Sequence, residues 1–272
     1  MQGLKLKSID TKYKQIESDI ERRRTKRRKD DDEFKVVEGV IDPPTLKAVY
    51  KLLSRGTLRA LHGAISTGKE ASVYRGEDRD GRSLAVKIYR VTTAESDFML
   101  DYIVGDPRFK NVRRRHRSLI PMWALKEYKN LQRYDEAGVR VPKPIDIQRN
   151  VLVMEFIGDA QAGVAAPLLK NVTVVSPVDT YDEIIEMIET GYKKAGLVHA
   201  DLSEYNILWH NGPVIIDVSQ AVLTSHPNAQ RYLYRDLQNI TNFFKKIGIE
   251  PEDPQVIMKD ILSAGGQHNG VS

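Results

Sequence analysis

The residues best suited to do chemistry sit in one stretch, His199-Ala200-Asp201-Leu202-Ser203-Glu204-Tyr205-Asn206, followed by Ile215-Ile216-Asp217. Phosphoryl transfer asks for little covalent work from a protein. It needs Mg²⁺ held against the phosphates and a nucleophile oriented in line. The hard Mg²⁺ ion takes oxygen ligands from one or two carboxylates or amides and completes its shell with water and phosphate. Asn206 and Asp217 supply such oxygens. They bracket a hairpin signalled by His210-Asn211-Gly212, so their separation in sequence does not keep them apart. Asp201 is the group that can accept a hydroxyl proton or orient the nucleophile.

This run resembles the protein-kinase catalytic loop H-R-D-x-x-x-x-N and the metal-binding aspartate that follows it. The Asp-to-Asn spacing matches. Two departures carry information. Ala200 stands where kinases place arginine, and Asp217 is followed by Val218-Ser219 with no Phe-Gly and no later Ala-Pro-Glu. A standard activation segment is therefore not expected.

Ala85-Val86-Lys87 resembles the kinase Ala-x-Lys, whose lysine binds the α- and β-phosphates and pairs with a helix glutamate. Many strands end in lysine, so the triplet gains its weight from its order, with a hairpin before it and a helix after it. Glu127 is the expected partner, because Trp123, Glu127, Asn130 and Tyr134 share one helical face. Glu136, near the helix end, is the alternative. Gly63 to Lys69 fits G-x-x-x-x-G-K, but Glu70 occupies the Ser/Thr position of that motif and a strand pattern follows. A phosphate-binding helix N-terminus is thereby ruled out. Ser66-Thr67-Gly68-Lys69-Glu70 instead reads as a turn between two strands, offering backbone N–H groups and hydroxyls to phosphate.

Several elements must position these residues. A helix is expected over 45–54, with Leu46, Val49, Tyr50 and Leu53 on its stripe. Strand patterns follow at 58–65, 71–77 and 83–89, the last two joined by an Asp80-Gly81 hairpin turn. Residues 90–120 form a long polar and basic stretch, functional or mobile. Pro121 is expected to open a helix that stops at Gly138. Two short strands flank Arg149-Asn150. Ser176-Pro177 starts a helix that closes at Gly196. A last long helix over about 227–247 carries Leu233, Leu237, Ile240, Phe244 and Ile247, and a short one is expected at 254–263. Strands first and helices later indicate an α+β chain of two unlike lobes. The expected organisation is an arm at 1–44, an N-lobe at 45–157, a C-lobe at 158–264 and a disordered tail at 265–272.

Composition narrows the classes. The 272 residues include no cysteine, which excludes disulfides, thiolate catalysis and Cys-ligated zinc. No apolar run reaches the ~18–20 residues of a membrane span, and the first residues lack the apolar core of a signal peptide. A cytoplasmic location is the expectation. The net charge of +5 is concentrated at 22–29 (RRRTKRRK) and 108–117 (RFKNVRRRHR). Each cluster is either a solvated charged face or a contact for nucleic-acid phosphates. Neither has interleaved aromatics for base stacking. His62, His116, His210 and His226 lack metal-ligand spacing.

Ser66-Thr67-Gly68-Lys69-Glu70-Ala71, LVHADLSEYNIL and IIDVSQAV together closely resemble the RIO family of atypical serine protein kinases, in its compact, archaeal-like type-one branch. The resemblance covers about 45–250. It implies a trimmed bilobal protein-kinase-like fold, ATP with Mg²⁺ or Mn²⁺ as cofactors, and autophosphorylation on serine. It also implies ATPase activity through a phospho-aspartate at Asp217. The partner it implies is the pre-ribosomal small-subunit particle, whose maturation such kinases serve. It makes Met154 the gatekeeper of a hinge at Met154-Glu155-Phe156-Ile157, with backbone groups of Glu155 and Ile157 facing adenine. Residues 90–120 match the family's flexible loop, where Ser96 and Ser118 are candidate phosphorylation sites. Asp236 either braces the catalytic loop or is a surface acid.

Two other functions compete. Aminoglycoside and choline kinases share the His-x-Asp-x-x-x-x-Asn spacing, but they tend to carry a large acidic insert, and this basic chain leaves little room between 157 and 176. A non-catalytic nucleotide- and RNA-binding scaffold is the other. Retention of Lys87, Glu127, Asp201, Asn206 and Asp217 argues against it.

Overall fold

The computed structural model describes residues 41–90, 96–103, 106–109 and 116–263. The expectations for residues 1–40 and for the tail from 264 lie outside these.

Alternating burial builds the first sheet. β1 (Ala60–Thr67) and β2 (Ala71–Glu77) pair antiparallel, and β2 alternates strictly between buried and half-buried positions. β3 (Ser83–Tyr89) is buried from Leu84 to Tyr89, as a central strand must be. β4 (Pro144–Gln148) and β5 (Val151–Glu155) complete an antiparallel sheet of order β1-β2-β3-β5-β4. The Asp80-Gly81 turn forms as expected. Gly81 sits at φ 81°, and the Asp78 carboxylate accepts from the N–H groups of Asp80 and Arg82. β1 ends later than its pattern suggests, because Ser66 and Thr67 pair with Val73 and Ser72 beyond a bulge.

Helix α1 (Pro43–Arg55) starts at an Asp42 cap whose Oδ1 accepts the Thr45 N–H at 3.1 Å. Its buried face is Thr45, Ala48, Val49 and Leu52, one position away from the expected stripe. That face packs on Leu58, Leu61, Leu84, Val86, Val151 and Val153 and covers one side of the sheet. Leu46 and Leu53 are only half-buried, while the small Ala48 is buried against the sheet.

The stretch 90–120 is not a plain loop. It contains α2 (Ser96–Ile103) and a 3₁₀ turn at Pro107–Phe109, and α3 (His116–Glu136) begins within it. Pro121 is therefore inside α3 rather than its first residue. Its missing N–H removes a bond to the Arg117 carbonyl in the second turn of the helix. α3 buries Trp123, Glu127, Asn130 and Tyr134 together, as its pattern requires.

The helical part follows. β6 (Gly158–Asp159) and β7 (Val164–Ala165) form a small ribbon. α4 (Pro177–Thr190) continues into a π-turn at Gly191–Ala195 and closes at Gly196 with φ 65°. β8 (Leu197–Val198) pairs with β11 (Val222–Leu223), and β9 (Ile207–Trp209) with β10 (Pro213–Ile215). α5 (Ala229–Lys246) buries Leu233, Leu237, Ile240 and Phe244, each contributing roughly 1.5–3 kcal/mol. Ile247 falls past the helix end and is 40 % exposed. α6 (Pro254–Ser263) packs Ile257 and Ile261 against this core.

Candidate active site

The cleft between the sheet and the helical part holds the candidate residues. The ladder of β3 aims Lys87 into it. Nζ donates to Glu127 Oε1 at 2.8 Å and to Asp217 Oδ1 at 2.9 Å. The other Glu127 oxygen accepts the Tyr89 hydroxyl. The Glu127 side chain is 1 % exposed, whereas that of Asp217 is 48 % exposed. Lys87 thus anchors on one sealed carboxylate and reaches one open to the cleft. Glu136 lies at the end of α3, and Glu127 is the partner.

The electrostatics follow from this geometry. Burial would lower the Lys87 pKa, but the charges of Asp217 and Glu127 more than compensate and raise it above the usual lysine range. Both carboxylates favour the ammonium form of Lys87. Burial pushes the Glu127 carboxyl up to about 7, with Lys87 pulling the other way. Loss of water would raise Asp217, but the adjoining Lys87 charge holds it below the ordinary carboxylate value. Asp201 is raised by burial and by the Asp217 charge. The two acids are thereby driven apart, one tuned to stay ionised and one nearer to accepting a proton.

The loop carrying Asp201 is pinned from behind. Ala200 is held at φ 68°, an uncommon conformation for a residue with a side chain. Asp236 on α5, 1 % exposed, clasps it by accepting the Ala200 N–H at 2.7 Å and the Leu202 N–H at 2.9 Å. Asn239 Nδ2 holds the Leu202 carbonyl at 3.0 Å. Asp236 is thus a brace and not a surface acid. His199 is buried and its pKa falls to about 4, so it is neutral and donates from Nε2 to the Ile216 carbonyl at 3.1 Å. The Ile216 N–H reaches the Asn206 carbonyl at 2.9 Å. These two bonds tie both ends of the catalytic loop to the residue before Asp217. Asp217 itself is held at φ 58°. Such strain persists only where the surroundings over-determine it, and it clusters at functional sites.

Asn206 Nδ2 donates to the Asp201 carbonyl at 2.8 Å and lies 3.4 Å from Asp201 Oδ2. Those bonds use the amide N–H groups, so Oδ1 is the atom that could face a metal. Gln220 Nε2 reaches Asp201 Oδ2 at 3.1 Å, and the Ser219 hydroxyl reaches Asp217 Oδ1 at 3.1 Å. Among the described residues no group of three or more His, Asp or Glu could hold a metal alone. One carboxylate and one amide oxygen fit a hard ion that takes its remaining ligands from phosphate and water.

The loop Ser66–Glu70 caps the β1–β2 hairpin, with the Gly68 N–H closing on the Ala71 carbonyl at 2.9 Å. Ser66, Thr67, Gly68 and Lys69 are exposed. The charge of Glu70 adds to the rise of the Glu127 carboxyl, so this end of the loop lies near Glu127. Strand β2 follows it, in keeping with the rejection of a helix-type phosphate site. At the hinge, Met154 pairs with Ala85 and is buried. The Glu155 N–H is taken by the Lys143 carbonyl and the Ile157 carbonyl by the Ala166 N–H.

Sequence reasoning missed four groups. Lys126 is fully buried and donates to the Ser219 and Ala221 carbonyls at 2.8 and 2.5 Å. Asn130 Nδ2 donates to the Val218 and Ala221 carbonyls. Gln220 and Tyr89 hold Asp201 and Glu127. The i, i+4 spacing of Lys126 and Asn130 beside Glu127 was the available signal, but a lysine is ordinarily read as solvent-facing. Arg108 also departs from expectation. It is not part of a solvated basic face, because its guanidinium pairs with the buried Asp106 at 2.6 Å.

A β-rich sheet and a helical lobe meeting at a Lys–Glu–Asp cleft define the protein-kinase-like class. Residues 72–257 match the RIO domain. The chain is 45 % identical over 227 residues to the RIO-type serine/threonine-protein kinase Rio1 of Haloferax volcanii, covering 83 % of this chain and 77 % of that one. It is 41 % identical to the serine/threonine-protein kinase RIO1 of Caenorhabditis elegans, over 84 % of this chain but 46 % of that protein. It spans about half the length of such animal relatives. Its fold resembles the Rio2 kinase of Chaetomium thermophilum, solved as an ADP/Mg²⁺-phosphoaspartate complex. The TM-score is 0.59 at 24 % identity, covering 81 % of this chain and 66 % of that one. The chain belongs to the RIO kinase family, and its relation to Rio1 proteins places it on the type-one branch.

Proposed function

We propose that this chain is an ATP-dependent serine protein kinase with ATPase activity, using Asp201, Asn206, Asp217 and Lys87 as its centre. The observation that carries the proposal is the Lys87 ammonium shared between sealed Glu127 and open Asp217. That arrangement keeps a cation fixed where phosphate oxygens would bind. The names of the relatives, which are serine/threonine-protein kinases, agree with it.

In this reading the adenine meets Glu155 and Ile157 behind the gatekeeper Met154, and Ser66 to Glu70 cover the phosphates. Asn206 and Asp217 hold Mg²⁺ or Mn²⁺, which would neutralise charge on the phosphates and orient them. Lys87 steadies the α- and β-phosphates. Asp201 accepts the proton of the attacking hydroxyl, its position fixed by Asn206 and Gln220. Asp217 is also the candidate acceptor of a phosphoryl group. Residues 45–157 and 158–264 act as the two lobes. Autophosphorylation falls on Ser96, at the start of α2, or on Ser118, in the first turn of α3. The protein acts in the cytoplasm on a pre-ribosomal small-subunit particle. No helix among the described residues is long and apolar enough to cross a membrane.

The test is phosphate turnover from ATP with Mg²⁺ and purified rRNA particles. Wild type should turn over and Asp201→Ala should not, and equal rates would remove the catalytic assignment. Hydroxylamine then separates the products: a phosphoserine survives it and a phospho-aspartate does not.

A further inference from the structure

No Phe-Gly follows Asp217, and no Ala-Pro-Glu comes later, so the segment that orders the metal loop in protein kinases is missing. Something else must hold residues 217–221 in their strained path. The carbonyls of that loop show what does. Asn130 Nδ2 takes those of Val218 and Ala221 at 2.8 and 3.1 Å, and Lys126 takes those of Ser219 and Ala221. Asn130 is fully buried, and an amide that donates twice must have its oxygen satisfied as well. Arg108 does this, with Nη1 2.8 Å from Asn130 Oδ1. The same guanidinium is oriented by Asp106, with Nε at 3.0 and 3.1 Å from the two carboxylate oxygens and Nη2 at 2.6 Å. Asp106 is 4 % exposed, so the fork is rigid.

A second chain of contacts leaves the same inserted stretch. Tyr102 on α2 stacks on Tyr232 with ring centres 5.6 Å apart and meets Trp123 edge-on at 6.2 Å. Burial raises the pKa of its hydroxyl and the nearby Arg235 guanidinium pulls the other way. Arg235 in turn donates to the Ala200 carbonyl, next to Asp201. Arg235 also lies over the Tyr232 ring at 5.2 Å. One short insert between β3 and α3 thereby touches the support of both reacting loops.

We propose that α2 and the 106–109 turn form an internal brace that replaces the activation segment, with Arg108 positioning the Asp217 loop through Asn130 and Tyr102 positioning Asp201 through Arg235. Neither residue is catalytic, because neither touches the cleft groups directly. Each acts through one intermediary that donates to backbone carbonyls of a reacting loop. The consequence is a coupling: whatever displaces the 106–109 turn releases the Asp217 loop. The inference rests on the kinase reading of the site for its effect on rate, but not for its effect on loop order.

The experiment uses the full chain with Tyr102→Phe, Arg108→Gln, Arg108→Lys and the paired variant Arg108→Met/Asp106→Asn, which removes the ion pair without stranding a buried carboxylate. Two readouts are taken. Amide hydrogen exchange without nucleotide should rise at 217–221 in the Arg108 variants and at 200–202 in Tyr102→Phe, each leaving the other loop unchanged. Steady-state kinetics should show kcat down about 10- to 100-fold at nearly constant KM for ATP, the cost of misplacing a reacting group. Arg108→Lys, which retains one of the two contacts, should recover part of the loss. Arg108→Gln combined with Asn130→Ala should be no worse than Asn130→Ala alone. A lower Tm with unchanged kcat, or exchange that rises evenly over the chain, would overturn the brace and leave a merely structural ion pair. Wild type without ATP turnover would sink the proposed function, while the exchange pattern would still decide the brace.

Discussion

Lys87 on β3 and Asp217 beyond β10 meet at 2.9 Å, although 130 residues separate them in sequence. The contact joins the sheet to the catalytic half of the chain. Each partner shifts the other's charge state in the useful direction: the lysine stays protonated and the aspartate ionised.

Replacing that lysine tests the link. Lys87→Met should lower kcat/KM for ATP roughly 100-fold or more, the scale of losing a preorganised charge at a reacting phosphate. Glu127 would keep only its Tyr89 contact and take up a proton more readily. Steady-state ATP turnover, with Tm as a folding control, checks this. Activity within twofold of wild type would remove Lys87 from the phosphate site.

Asp236→Asn should loosen the catalytic loop and change the pH dependence of stability. Burial pushes the Asp236 carboxyl up to about 7 from 3.8. Between those values the folded state binds more protons than the unfolded one, so the contribution of this group falls as pH rises from about 4 to about 7. Below 3.8 it is fully present, and above 7 it is lost. The asparagine variant should lack that slope in denaturant titrations across the window. At pH 8, where Asp236 is ionised, amide exchange at 200–202 should be faster in the variant, because an amide offers one acceptor where two N–H groups need bonds.

Lys126→Met should cost about 1–3 kcal/mol, since the Ser219 carbonyl loses its donor in a dry site and the Ala221 carbonyl is left with Asn130. Burial, helped by the Arg108 charge, lowers the Lys126 pKa to about 7. The unfolded chain then binds the extra proton between pH 7 and 10.5, so wild-type stability should gain from this residue as pH rises through that range. Urea melts at pH 7 and pH 9.5 should show the gain in wild type and not in the variant.

Gly191→Ala tests the seam between α3 and α4. A Cβ there would lie 2.8 Å from Cε1 of Tyr134, a buried ring on the helix that carries Glu127. The expected loss is about 1–3 kcal/mol. Tm gives the loss, and a parallel rise in KM for ATP would show that it is transmitted to Glu127.

Local pattern made much of this fold legible. The sheet strands, the Asn211-Gly212 hairpin and the buried face of α3 follow from period, turn chemistry and short-range spacing. That Asp201 and Asn206 come together was legible in their spacing for the same reason, as was the pairing of Glu127 with Lys87 in its helical face. The start of α3 was not, because Pro121 is a strong first-turn signal that tertiary packing overrides. The α1 face was misread by one position because Ala48 contributes little hydrophobicity but permits close approach. Lys126, Asn130 and Arg108 were hidden for a different reason. Their partners are backbone carbonyls and an amide far along the chain, and no composition rule reveals a buried lysine that serves a loop.

The central claim is that Asp217 belongs to a metal–phosphate centre and is more than a structural counter-ion of Lys87. Single-turnover phosphoryl transfer from γ-labelled ATP, followed across a Mg²⁺ titration in wild type and Asp217→Asn, tests it most directly. The account predicts a saturable Mg²⁺ dependence in wild type and a loss of at least about 100-fold in the variant that added Mg²⁺ does not restore. Equal rates and equal Mg²⁺ dependence in the two proteins would contradict it.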